Sequence, residues 1–188
     1  MKRICVYCGA NPGIRPAYAA AAAELGTRLA QEKSELVYGG GCVGLLGVVA
    51  DATLRAGGQV MGVIPEALVI KEVVHEKLPD LRTVKTMHER KALMAELADG
   101  FIALPGGFGT YEEFCEILAG SQLGWHKKPF ALLNLAGFYQ SLLAFLDHAV
   151  AEGFIRAPHR ELVLVENNVD ALVQRLLKYP PPKHPARY

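Results

Sequence analysis

The alternation of short apolar segments with helical segments is the feature that most constrains what this chain can fold into. The segments "RICVY", "ELVY" and "FIAL" carry at most one charge each, and a helical repeat of apolar residues follows each of them. Strands that are apolar throughout are typical of parallel sheets whose two faces are both covered by helices. The sequence therefore predicts an α/β fold: a Rossmann-like doubly wound parallel sheet with helices on both faces.

The length and composition of the chain indicate a single folded unit. Its 188 residues are 51% apolar, which is enough for a substantial core, and we find no internal repeat or linker. The C-terminal stretch "YPPPKHPARY" is rich in proline. We predict one Rossmann-like domain over residues 1–178 and a flexible tail over residues 179–188.

Charge and hydropathy exclude several classes of partner. The 20 Lys and Arg residues nearly balance the 19 Asp and Glu residues, and they are scattered, so there is no nucleic-acid footprint. No apolar run approaches the ~18 residues of a membrane span, and the first residues lack the apolar region of a secretory signal. Cys5 and Cys8 form a C-x-x-C pair, but no second pair completes a zinc site. We expect a cytoplasmic protein with reduced thiols and no membrane or nucleic-acid partner.

The first candidate site is the glycine-rich stretch "GGGCVGLLG" that follows "ELVY". Ligands of doubly wound sheets bind at the carboxyl ends of the strands, and such a loop brings backbone N–H groups and a helix N-terminus to an anion. Gly39, Gly41 and Gly44 formally match G-x-G-x-x-G. The match lies in the second strand–helix unit, which disfavours a dinucleotide dehydrogenase. A phosphate loop and an ordinary tight turn both remain open.

The second candidate site is the segment "MHERK". Met87, Arg90, Met94 and Leu97 repeat at intervals of three and four, so Arg90 falls on the apolar face of a helix. An arginine turned inward requires an anionic partner or a ligand. The alternative is a surface arginine whose stem covers apolar residues. His88 is predicted to pack or to cap the helix rather than to act as a base.

The third candidate site is the segment "LPGGFGTYEE". Its proline ends a strand, and its three glycines permit close approach of a ligand to the N-terminus of the next helix. Two carboxylates, Glu112 and Glu113, nevertheless follow where an anion would bind. Thr110 and Glu113 also match a capping box, which is the structural alternative. The other possibility is that the carboxylates meet positive charge on a substrate.

Taken together, "YGGGCVGLLG", "MHERK" and "PGGFGTYEE", in this order and spacing, resemble the Lonely guy family of cytokinin riboside 5′-monophosphate phosphoribohydrolases. The likeness runs from "ICVYCGANPG" to "AEGFI", and an older label for such sequences is "possible lysine decarboxylase". The resemblance implies hydrolysis of the N-glycosidic bond of a nucleoside 5′-monophosphate, either a cytokinin riboside 5′-monophosphate or AMP, to free base and ribose 5-phosphate. It also implies a homodimer with sites near the subunit interface, and neither a cofactor nor a metal.

The resemblance further implies particular site residues. The catalytic residues would be Arg90 and Glu113. Glu113 would stabilise a sugar cation or orient water, Glu112 would bind a ribose hydroxyl, and Arg90 would anchor the phosphate or polarise the leaving base. The substrate-binding residues would be Gly40, Gly41, Gly44, Glu72, Met87, Arg90, Lys91, Gly106, Gly107, Phe108, Gly109, Thr110, Tyr111, Glu112 and Glu113.

The sequence departs from the family pattern at two positions. Ala10 replaces a serine that is common in the first loop, and Ala119 stands where plant relatives carry a threonine, so the base preference stays open. No lysine has a recognisable pyridoxal phosphate setting, which disfavours a decarboxylase. The rival class is a non-catalytic nucleotide or molybdenum-cofactor carrier of the same fold. The combination of Arg90 with Glu112 and Glu113 favours an enzyme, since a carrier would not need it.

Overall fold

The computed structural model describes residues 1–69, 74–75 and 78–180, and its centre is a seven-stranded sheet. All the strand pairs are parallel, and the spatial order is β4-β3-β2-β1-β5-β6-β7. This confirms the predicted fold class. The strands are β1 (Arg3–Tyr7), β2 (Glu35–Tyr38), β3 (Val60–Pro65), β4 (Asp80–Val84), β5 (Gly100–Ala103), β6 (Phe130–Leu133) and β7 (Val163–Glu166).

Helices lie on both faces of the sheet, and each face has its own apolar core. Helices α1, α2 and α8 bury Leu25, Val49 and Leu172 on one face, while α4, α5 and α6 bury Met94 and Phe114 on the other. The helices are α1 (Pro16–Gln31), α2 (Gly44–Arg55), α3 (Glu66–Val69), α4 (Met87–Leu97), α5 (Phe108–Gln122), α6 (Gln140–Ala151), α7 (Ala157–Arg160) and α8 (Val169–Leu177), with a 3₁₀ turn at Leu135–Gly137.

The strand order reverses between β1 and β5. From β1 the chain adds β2, β3 and β4 on one side, and then returns through α4 to place β5 on the other side of β1. The loops that leave β1 and β5 therefore diverge and open a crevice, which is where doubly wound sheets bind ligands. Sequence reasoning named the loops after β2, β4 and β5, but it did not name the loop after β1.

Some predicted features lie partly or wholly outside the described residues. Glu72 and residues 181–188 of the predicted tail belong to this group. The described residues between β3 and β4 begin with the short helix α3. In the part of the chain that is described, no helix is both long enough and apolar enough to cross a membrane.

Candidate active site

A cavity of about 490 Å³ lies at the carboxyl ends of β1 and β5. It is the crevice expected from the reversal of strand order. Side chains and backbone from four helices and from the loops after β1, β2 and β5 reach it, so residues far apart in sequence meet here. The predicted site residues that line it are Arg90, Gly106, Gly107, Gly109, Thr110 and Glu113.

The side chain of Arg90 enters the cavity as a fixed cation. Its Nε donates to the Val63 carbonyl at 3.0 Å and its Nη2 to the Gly39 carbonyl at 2.9 Å, while Nη1 lies 3.8 Å from Met87 Sδ. Only 8% of Arg90 is exposed, and no carboxylate of a described residue forms an ion pair with it. The prediction that Arg90 turns inward is therefore confirmed. Backbone carbonyls fix its position but do not neutralise its charge.

The glycine at position 39 is what allows the arginine to come this close. A Cβ atom at Gly39 would collide with Arg90 Nη2. This glycine therefore makes room for a protein side chain. Sequence reasoning left a phosphate loop and a tight turn open for the glycine run, whereas its first member makes room for the arginine.

The other glycines of that run have packing roles. Gly40 has a φ of +79°, and its carbonyl accepts a hydrogen bond from the His75 N–H at 3.2 Å. Gly41 pairs with Val74, and a Cβ atom at Gly44 would collide with the backbone of Ala10. Gly40, Gly41 and Gly44 were predicted to bind substrate, but they do not line the cavity.

A cap at the start of α4 places Arg90 in the first turn of that helix. The Glu89 N–H donates to Thr86 Oγ1 at 3.1 Å, and the Lys85 N–H donates to Glu89 Oε2 at 2.8 Å. These reciprocal bonds fix where the helix begins. Sequence reasoning missed this cap, although the T-x-x-E pattern of Thr86–Glu89 was there to find it.

The capping box that the sequence suggests at Thr110 is not formed. Helix α5 begins at Phe108 with Gly107 as its N-cap, and no side chain caps it. Thr110 is already inside the helix and is buried against Gly106, where a Cβ atom would collide with its Oγ1. The first N–H groups of α5 are thus left for a ligand, since helix N-termini leave these donors without intrahelical partners.

Gly107 and Gly109 differ from Gly106 in what surrounds them. A Cβ atom at either position would have no heavy atom within 4 Å. Both residues line the cavity at the N-terminus of α5. No packing or backbone demand explains these two glycines, and a ligand lying against the backbone would explain both.

Glu113 lies one turn further along α5 and faces the same cavity. Burial raises the pKa of its carboxyl to about 7, and the charge of Arg90 opposes this rise. Glu113 also lines a second cavity of about 120 Å³, whose other walls include Ile117 and Trp125. A carboxyl with this pKa can be ionised or protonated near neutral pH, as acid–base and charge-stabilising roles require.

Lys91 and the other carboxylates of α5 form a separate ionic cluster. Lys91 Nζ contacts Glu112 and lies 2.7 Å from Glu116 Oε2, and both carboxylates raise the pKa of Lys91. Glu112 is more than half exposed and does not line the larger cavity. The structure thus separates the two adjacent glutamates: Glu113 faces the cavity, while Glu112 pairs with Lys91.

The remaining predicted residues lie at the edge of the site. Met87 contacts the guanidinium of Arg90 and is partly exposed, and Phe108 is almost fully exposed. Tyr111 packs edge-on against Phe108 and Tyr139. Neither Met87, Phe108 nor Tyr111 is among the residues that line the larger cavity.

Sequence reasoning missed the side of the cavity that the loop after β1 and the starts of α1, α2 and α6 form. The loop is tied to the glycine segment because the Gly9 N–H donates to the Pro105 carbonyl at 3.1 Å. A signal existed in the "CGANPG" stretch, but only the strand order shows that this loop lies beside β5. The missed lining residues include Gly9, Asn11, Tyr18, Leu45, Leu46 and Phe138.

Comparison with known proteins agrees with this geometry. Residues 46–176 match the family described as possible lysine decarboxylase. The chain is 51% identical over 180 residues to the probable cytokinin riboside 5′-monophosphate phosphoribohydrolase LOGL9 of Oryza sativa subsp. japonica, over 96% of this chain and 79% of that protein. It is 48% identical to the cytokinin riboside 5′-monophosphate phosphoribohydrolase LOG7 of Arabidopsis thaliana, over 96% and 83%.

Among solved structures, the molybdenum cofactor carrier protein of Chlamydomonas reinhardtii has a similar fold. The TM-score is 0.71 at 22% sequence identity, and the match covers 95% of this chain and 99% of that one. The molybdenum cofactor binding protein of Rippkaea orientalis gives a TM-score of 0.70 at 21% identity, over 93% and 94%. At these identities the likeness concerns the fold alone.

The open space at Gly109 gives a prediction that separates ligand binding from stability. We expect Gly109→Ala to leave the free energy of unfolding unchanged or to raise it by up to about 1 kcal/mol, since alanine favours helix. The added methyl group should nevertheless weaken AMP binding at least tenfold. Gly106→Ala is the matched control, and its collision with Thr110 should lower stability and binding together. Chemical denaturation and calorimetric titration measure the two effects, and unchanged AMP affinity in Gly109→Ala would contradict the assignment.

Proposed function

Because the chain belongs to the Lonely guy family, which is also described as possible lysine decarboxylase, we propose that it is a phosphoribohydrolase. The reaction is hydrolysis of the N-glycosidic bond of a cytokinin riboside 5′-monophosphate, with AMP as a substrate of the same class. The products are the free base and ribose 5-phosphate. The observation that carries the proposal is the meeting of Arg90, Glu113 and an uncapped helix N-terminus in one cavity.

The phosphate of the substrate binds at the start of α5. The free N–H groups near Gly107 and Gly109 and the positive end of the helix dipole attract an anion, and the two glycines leave room for it. No lysine or arginine is required for this contact.

The ribose then lies against Glu113. This residue follows Gly109 by four positions, so its side chain is about one helical turn, roughly 6 Å, from the phosphate site. That distance suits the span from a 5′-phosphate to the anomeric carbon of the same nucleotide. Loss of the base leaves positive charge on the sugar, and the ionised carboxylate stabilises it.

Arg90 acts at the base end of the substrate. It is fixed by the carbonyls of Gly39, just past the end of β2, and of Val63 within β3, whereas the phosphate site follows β5, and neighbouring strands lie about 4.8 Å apart. We therefore assign Arg90 to the leaving base, where its charge stabilises the electrons of the broken C1′–N bond. Water oxygen bonds to C1′, and its proton passes to the base, so atoms and charge balance.

Turnover of purified protein tests the proposal directly. We expect release of free base from isopentenyladenosine 5′-monophosphate and from AMP, followed by chromatography, and a loss of at least a hundredfold in kcat/KM for Glu113→Gln and Arg90→Ala. Glu152→Gln and Arg55→Ala change the same residue types at exposed positions and should keep full activity. Absence of base release by the wild-type protein, or full activity of the two site variants, would contradict the proposal.

The pKa of Glu113 gives a prediction about pH. The ionised form is the active one, so kcat/KM should fall as the pH drops through about 7, where the carboxylate gains a proton. The Lys91 charge lowers the pKa of Glu113, so Lys91→Met should move this fall to higher pH, while Lys91→Arg should leave it in place. A rate profile that is flat between pH 5 and 8 would contradict the assigned role.

We also propose that the chain forms a homodimer through the outer face of α6. Leu143 is the only buried residue of this described helix, and Phe145 exposes 64% of its surface. Large exposed aromatic side chains are unfavourable in water and typify contact surfaces. The family resemblance also implies a dimer.

Sedimentation analysis tests the assembly. The wild-type protein should sediment as a dimer, and Phe145→Asp should weaken self-association at least tenfold because it buries a charge in the contact. Ala20→Asp places the same charge on the exposed side of α1, across the sheet, and should leave the dimer intact. A monomeric wild-type protein, or equal behaviour of both variants, would rule out this surface.

A further inference from the structure

The end of β5 is held by three hydrogen bonds just before the glycine loop begins. The Leu104 N–H donates to the Tyr7 carbonyl at 2.9 Å, and the Gly9 N–H donates to the Pro105 carbonyl at 3.1 Å. Both of these come from the neighbouring strand β1 and its loop. The third comes from a different part of the fold: the hydroxyl of Tyr139 donates to the Leu104 carbonyl at 2.6 Å.

Tyr139 is itself fixed in place. Its N–H donates to Asn134 Oδ1 at 2.8 Å, and the N–H of Asn134 donates to the Glu166 carbonyl on β7 at 2.8 Å. Tyr139 is 1% exposed, and its ring packs edge-on against those of Phe138 and Phe114. The ring centroids are 4.9 Å and 6.4 Å apart, respectively. Burial raises the pKa of Tyr139, so its hydroxyl stays a neutral donor across the working pH range.

These contacts connect the far side of the sheet to the glycine loop. The path runs from β7 through Asn134 and Tyr139 to Leu104, the residue before the loop. Phe138, next to Tyr139, lines the cavity itself. The donors at the start of α5 follow within four residues of Leu104, so a shift of its carbonyl would move them.

We propose that Tyr139 is a positioning residue that holds the loop from Pro105 to Gly109 in the geometry that receives a phosphate. This inference rests on the proposed function, because it takes the start of α5 as the phosphate site. Tyr139 touches neither substrate nor reacting atoms. Leu104 is 1% exposed, so no water replaces a lost hydroxyl, and the strand end relaxes instead. Displacements of about 1 Å at a binding site cost up to a hundredfold in rate.

Tyr139→Phe isolates the hydroxyl, because the ring and its packing stay. The control is Tyr38→Phe: Tyr38 is equally buried, but its hydroxyl has no partner among the described residues. Calorimetric titration with ribose 5-phosphate and with adenine separates the two ends of the site. For Tyr139→Phe we expect the dissociation constant of ribose 5-phosphate and the KM for AMP to rise about tenfold. Adenine affinity should change less than twofold, and Tyr38→Phe should match wild type in all three.

Each outcome decides the inference. A lower melting temperature with unchanged ribose 5-phosphate affinity would assign Tyr139 to stability alone and overturn the proposal, as would equal weakening of both ligands. A wild-type protein that neither binds ribose 5-phosphate nor releases base from AMP would instead reject the proposed function. Should Tyr139→Phe fail to fold, Asn134→Ala loosens Tyr139 through its backbone and should shift ribose 5-phosphate affinity in the same direction by a smaller factor.

Discussion

The site depends on the way Arg90 is held. Two backbone carbonyls, one just past the end of β2 and one within β3, accept its hydrogen bonds, and these dipoles fix the guanidinium while leaving its full charge in place. A carboxylate partner would have fixed it equally well but would have cancelled the charge. A cation of this kind can act on whatever enters the cavity. Its field also opposes the rise in the pKa of Glu113.

The doubly wound sheet explains why such a pair forms here. Arg90 comes from the helix that returns across the sheet after β4, and Glu113 comes from the helix that follows β5. Both helices lie on the same face and meet beside the point where the strand order reverses. Burial at that point is deep enough to raise the pKa of a carboxyl, yet the helix N-terminus next to it remains open to an anion. The same crevice thus holds a buried carboxyl and, about one helical turn away, a helix N-terminus that is open to an anion.

Local sequence patterns predicted much of this site, but they failed for features that depend on contacts between distant parts of the chain. Helical periodicity placed Arg90 inward correctly, because that depends only on the repeat within one helix. The T-x-x-E pattern occurs at Thr86 and at Thr110, and only the first forms a cap, since α5 starts two residues before Thr110 and buries it. The loop after β1 was missed because no single segment of the sequence shows the order of the strands in the sheet. Tyr139 was missed for the same reason: its contact with Leu104 spans 35 residues.

Gly39 illustrates a final consequence of that close packing. The space beside its α-carbon is filled by a guanidinium that enters from 51 positions later in the chain. A larger residue there collides with that guanidinium, so the cost of changing one position depends on the identity of the other. Natural variation at the two sites should therefore be epistatic. Relatives that lack the arginine could carry a larger residue in place of the glycine, whereas relatives that keep the arginine should also keep the glycine.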